Sequence, residues 1–115
     1  MPNNIKEILT EYVNGLNKML GNHLKQVILY GSYARGEQDK NGEISDIDIL
    51  ILVDFKVENI KEIEKSIIDY SYDINLKHNV LISPIIENYQ YYKNRVRYIV
   101  FYKNIEKEGV LLNAK

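Results

Sequence analysis

Residues 46–53, Asp46-Ile47-Asp48-Ile49-Leu50-Ile51-Leu52-Val53, narrow the possible folds more than any other stretch of the chain. Apart from its two aspartates the segment is a run of β-branched and apolar residues, far too short to span a membrane. It reads as a strand. Side chains alternate across a strand, so Ile47, Ile49 and Ile51 occupy one face. Leu50 and Leu52 continue the other, which also carries both aspartates. The first face would pack on helices, and the second is also mostly covered.

The flanking sequence supplies those helices. In residues 3–20, Ile5, Ile8, Leu9, Tyr12, Val13, Leu16, Met19 and Leu20 recur at helical spacing, and Gly21-Asn22 ends the pattern. Residues 57–77 place Ile60, Ile63, Ile67, Tyr70 and Ile74 three or four apart, with Glu58, Lys61, Glu62 and Lys65 on the wet side. Residues 26–30 form a short strand running into Gly31-Ser32, where Ser32 can cap a helix starting at Tyr33. Residues 37–45 are polar, contain Asn41-Gly42 and read as a loop or turn. Residues 79–86 form a third strand that Pro84 pushes to an edge. Residues 88–107 are mostly helical, with 95–101 ambiguous; Gly109 is a C-cap and residues 110–112 a last short strand. The order gives an α/β (α+β) fold: one domain over residues 1–115, with helices packed on a small mixed sheet.

Composition closes several alternatives. A net charge of −1 lacks the basic surface that autonomous binding to a long polyanion needs, so direct nucleic-acid binding is disfavoured. Cysteine is absent, which excludes disulfides and thiolate metal sites. The N-terminus meets charge at Lys6 and Glu7, too early for a secretory signal, and no apolar run spans a membrane. The expected location is cytoplasmic.

Asp46 and Asp48 project from one strand face, and two such carboxylates are costly to desolvate without a neutralising cation. An oxygen-only site suits Mg²⁺ or Mn²⁺, which also take phosphate oxygens and water. Taken alone, the pair could equally be polar residues at a wet strand end. The Gly31-Ser32 turn adds the second element. Glycine lets backbone approach a ligand, and a helix start offers free N–H groups to an anion. Ser32 brings a hydroxyl and Arg35 a charged fork. By itself such a turn is commonly just a strand-to-helix connection. Together, the two elements describe a phosphate cradle feeding a cation site.

Residues 31–37, Gly31-Ser32-Tyr33-Ala34-Arg35-Gly36-Glu37, followed by residues 45–53, closely resemble the signature of DNA polymerase β-like nucleotidyltransferases. More narrowly, they resemble the minimal nucleotidyltransferases of bacteria and archaea, many of them antitoxins paired with HEPN-type toxins. Residues 101–109 resemble the ending of such domains. The resemblance implies a polymerase β palm-like fold in which Asp46 and Asp48 bind one or two Mg²⁺ ions and Gly31 and Ser32 hold the β and γ phosphates of a nucleoside triphosphate. It implies transfer of a nucleoside monophosphate, AMP from ATP, to a hydroxyl acceptor such as a tyrosine of a HEPN-type toxin docked from outside, because the chain has no room for a further helical domain. The alternative is an antitoxin that neutralises its partner by masking it.

Two departures from the family pattern stand out. The spacer between Ser32 and Asp46 is 13 residues, longer than usual. The third strand lacks the third carboxylate that active members place opposite the pair; Asn79 occupies the expected position, and an amide offers a neutral oxygen but takes no proton. Glu87 and Asp73 are imperfect substitutes. Elsewhere, Tyr89, Tyr91, Tyr92, Tyr98 and Tyr102 lie among Lys93, Arg95, Arg97 and Lys103. These read first as rings packed on the sheet, and second as a partner surface, with protein ahead of RNA. His23 and His78 lack ligand spacing. The Asp39-x-Asn41-Gly42 stretch lacks the ligands of a calcium loop.

Overall fold

A computed structural model describes residues 3–36 and 46–113. The expected loop at 37–45 lies outside the described residues. Four strands form one mixed sheet: β1 (Leu24–Tyr30), β2 (Ile47–Val53), β3 (Ile82–Asn88) and β4 (Val110–Leu111), in spatial order β3-β2-β1-β4. β1 runs antiparallel to β2 and β4, while β2 and β3 are parallel and joined through α3 (Ile60–His78). β3 lies at the sheet's edge, where the N–H that Pro84 lacks is not needed.

One face of the sheet is covered by α1 (Asn3–Leu20) and α3. Ile5, Ile8, Leu9, Tyr12, Val13, Leu16 and Leu20 of α1 are buried against Ile47, Ile49, Ile51 and Val53 of β2. Burying each such aliphatic side chain contributes about 1.5–3 kcal/mol. Met19, expected in the same stripe, is 41% exposed. Tyr12 and Tyr70 stack with centroids 5.4 Å apart, and the Tyr12 hydroxyl shares a 2.6 Å hydrogen bond with Ser71 Oγ. Ser71 in turn donates to the carbonyl of Ile67. At the far end of α3, Lys77 and His78 both reach Glu11 at 3.2 Å, so His78 is a helix-end residue. His23 stacks on Phe55 and pairs with Asp54.

The second face is covered by α4 (Tyr89–Arg95) and α5 (Val100–Glu108). Leu50 and Leu52 of β2 and Ile28 of β1 pack there on Tyr92, Tyr102 and Ile105. The ambiguous 95–101 stretch resolves into a break at residues 96–99 between the two helices. Asn88 caps α4 by accepting from the Tyr91 N–H at 2.8 Å. Gly109 closes α5, its N–H donating to the Ile105 carbonyl at 2.7 Å. Past β4, the side chain of Asn113 accepts from the Val27 N–H at 2.9 Å and so continues the ladder of β1. Among the described residues no helix is long and apolar enough to cross a membrane.

Candidate active site

Antiparallel register makes Tyr30, the last residue of β1, the ladder partner of Asp48, the second residue of β2. Gly31 then turns the chain with φ 77° and ψ −154°, a conformation close to glycine-only backbone space. A β-carbon at Gly31 would run into the carboxylate of Asp48. The turn and the acid therefore meet with no side chain between them, which joins the two halves of the sequence motif.

The turn leads into α2 (Ser32–Arg35), a single helical turn closed by the Arg35 N–H donating to the Gly31 carbonyl at 3.2 Å. Gly36, at φ 72°, ends it. The N–H groups of Ser32, Tyr33 and Ala34 precede the first intrahelical bond and have no partner within the helix. The sequence points to Ser32 as the cap of this helix. Gly31 is the N-cap instead, and Ser32 is the first helical residue, with no side-chain cap bond. Its hydroxyl is thereby not committed to capping.

Asp48 is half-buried and Asp46 exposed. Loss of water holds the Asp48 carboxyl above the usual carboxylate range, repulsion from Asp46 adds to the rise, and Arg35 opposes it. Tyr30, also half-buried, has its hydroxyl pushed up to about 12 by loss of water and by the Asp48 charge. Arg35 Nη1 donates to Glu108 of α5 at 3.2 Å, tying the turn to the second face. Tyr30, Gly31, Arg35, Phe101, Asn104 and Glu108 border a cleft of about 250 Å³ beside the turn.

Two crowded carboxylates, one partly stripped of water, fit a hard divalent cation, which would remove the repulsion that raises Asp48. Among the described residues no three His, Cys, Asp or Glu side chains converge. Among the described residues, Asp46 and Asp48 are the side chains that would hold such an ion.

The third-carboxylate position needs correction. Asn79 is not on a strand. It is the C-cap of α3 in the left-handed conformation, φ 53°, and is exposed. β3 begins three residues later, where Asn75 brackets Ile82 by accepting from its N–H and donating to its carbonyl. The β3 residue in register with Asp48 is Ser83. Glu87 pairs with Leu52, four residues or about 13 Å along the strand, and accepts from the Tyr102 hydroxyl at 3.0 Å. Asp73 belongs to α3, the helix covering the opposite face. Neither Glu87 nor Asp73 completes the pair.

The family model of the nucleotidyltransferase domain matches residues 8–110. The chain belongs to that family. Two relatives of this nucleotidyltransferase domain come from Methanocaldococcus jannaschii. "Putative protein adenylyltransferase MJ0141" is 41% identical over 106 residues, covering 92% of this chain and 96% of the relative. "Putative protein adenylyltransferase MJ0604" is 33% identical over 109 residues, covering 95% and 98%. Among solved structures, the domain resembles a chain in a crystal structure of a toxin–antitoxin with AMP-PNP, with TM-score 0.58 at 20% identity over 92% of this chain and 73% of that one. It also resembles a chain in the complex of a tri-AMPylated Shewanella oneidensis HEPN toxin with its MNT antitoxin, with TM-score 0.54 at 16% identity, covering 96% and 73%. At those identities the structural likeness concerns the fold.

Sequence reasoning did not single out Tyr30, Ser83 or Glu108. Tyr30 directly precedes the glycine turn, so its position was a usable signal. The other two depend on register and on helix placement, which no local pattern encodes.

Proposed function

We propose that this domain transfers AMP from ATP to a hydroxyl of a partner protein, a tyrosine of a HEPN-type toxin, with Asp46 and Asp48 holding Mg²⁺ or Mn²⁺. One observation carries the reading: Gly31 adopts its special backbone directly against the Asp48 carboxylate, so a polyphosphate on the turn would reach the acid pair. The names of the M. jannaschii relatives support protein adenylylation, and the toxin–antitoxin likenesses support the class of partner.

In this reading Gly31 admits the β and γ phosphates to the backbone, and Ser32 donates its hydroxyl to them. Arg35, steered by Glu108, places its cation at the same end. Asp46 and Asp48 would hold the cation beside the reacting phosphate. When bound, the cation supplies neutralisation of charge developing on the transferred group. The acceptor oxygen forms a bond to the α-phosphorus, the α–β bridging bond breaks, pyrophosphate leaves, and the acceptor proton passes to solvent.

The test uses ATP labelled on the α-phosphate, Mg²⁺ and a HEPN-type partner. Label on the partner with the wild type, and none with Asp46→Asn/Asp48→Asn, is the expected result. A second reading, neutralisation by masking, is favoured by Ser83 standing in register with Asp48 where an acid would complete the site. It prevails if wild type and double variant neutralise the partner equally with no label transferred.

A further inference from the structure

The corner formed by α4, residues 96–99 and α5 is charged unlike the rest of the chain. Residues 89–108 hold five of the fifteen Lys and Arg but two of the sixteen Asp and Glu, a balance of +3 in a chain whose total is −1. Both acids are already engaged: Glu106 accepts from the Tyr92 hydroxyl at 2.6 Å, and Glu108 pairs with Arg35. Arg97, Lys103 and Lys107 are exposed and form no ion pair among the described residues. With Val96 and Glu106 they line a cleft of about 470 Å³ on one flank of α5. Beside it Tyr98 is 79% and Val100 70% exposed. On the other flank, Phe101 meets Tyr30 edge-on at 5.5 Å and borders the cleft beside the Gly31 turn.

We propose that this corner is the docking surface for an acidic segment of a protein partner, one that also carries an apolar anchor. Carboxylates on the segment answer Arg97, Lys103 and Lys107, and the anchor covers Tyr98, Val100 and the aliphatic stems of the cations. Apolar residues exposed together beside unpaired charge mark an association surface more than a merely solvated helix. A segment that crosses α5 from this cleft to Phe101 reaches the turn, so docking there brings an acceptor to the reacting end. In that respect the inference rests on the function proposed above.

The rings favour protein over single-stranded RNA. Stacking platforms need open aromatic faces. Tyr92 and Tyr102 are buried, with hydroxyls bonded to Glu106 and Glu87. Arg95 lies 3.7 Å from the centre of the Tyr91 ring and Lys93 5.8 Å from that of Tyr89, each ring thus already covered by a cation. Tyr98 is left as the open ring of the five.

Fluorescence anisotropy of the whole protein with three labelled probes tests the surface: a random glutamate–tyrosine copolymer, a lysine–tyrosine copolymer and a 20-nucleotide oligouridine. The acidic copolymer is expected to bind at least about tenfold tighter than either other probe. Arg97→Glu/Lys103→Glu/Lys107→Glu should abolish that preference, and Tyr98→Ser/Val100→Ser should weaken it severalfold, with circular dichroism and Mg²⁺-dependent ATP binding unchanged in both variants. Equal or tighter binding of oligouridine, retention of the acidic copolymer by the triple variant, or no binding of it by the wild type overturns the proposal. Loss of ATP binding in the wild type, with copolymer binding intact, overturns the transfer reading and leaves the docking surface standing.

Discussion

The two faces of the sheet are built from different chemistry. Toward α1 and α3, Ile47, Ile49, Ile51 and Val53 are fully buried in an almost wholly aliphatic layer, and the polar pair inside it, Tyr12 and Ser71, bond to each other. Toward α4 and α5 the cover is largely tyrosine, with hydroxyls reaching Glu87 and Glu106. The first face holds the fold; the second tolerates the half-buried Asp48, whose charge loss of water and repulsion from Asp46 both disfavour. A small sheet can carry such a site on one side because the other side supplies a continuous core.

Substitutions should separate activity from stability by face. The largest effect falls on Asp46→Asn/Asp48→Asn: label transfer should drop at least about a thousandfold, since the cation's share is several kcal/mol and each 1.36 kcal/mol is tenfold. The fold should not suffer. Because the folded-state pKa of Asp48 is raised, the native state binds more protons than the unfolded one between the two values. Its contribution is fully present below the unfolded pKa and is lost as pH rises through the raised one. Thermal melts should therefore show Asp48→Asn gaining on wild type from pH 4 to pH 7, and a trend in the opposite sense refutes the assignment.

On the aliphatic face, Ile49→Ala should cost about 2–5 kcal/mol in urea unfolding while leaving the transfer rate per folded molecule unchanged. A change in rate there would erase the contrast between faces. Gly31→Ala sits on the boundary. Its positive φ and the collision with Asp48 should cost about 1–3 kcal/mol and reduce ATP binding as well, which a melt and a titration on the same sample would separate. The smallest effect is expected from Tyr102→Phe, which leaves Glu87 without its donor. About 1 kcal/mol of stability should go, with ATP binding retained.

Much of this arrangement was legible in the sequence. The 3.6-residue period of α1, the apolar run of β2 and the Gly31-Ser32 turn are local signals, and their boundaries fall within a residue or two of the observed ones. Pro84 on an edge strand and Gly109 at a helix end follow from what those residues cannot or need not do. β3 starts at Ile82 and not at Asn79, because asparagine is a common left-handed cap and here ends α3. Ile99 and Val100 suit strand and helix alike, so the break before α5 left no clear trace. That Asp48 faces Ser83 and not Asn79 is a matter of ladder register, settled by packing across the sheet.

The pairing of Tyr30 with Asp48 also anchors both ends of the chain that connects the halves of the site. Closure entropy grows by only about 0.6 kcal/mol per doubling of a connection, so the 13 residues between Ser32 and Asp46 can be lengthened while the ladder keeps both ends in place.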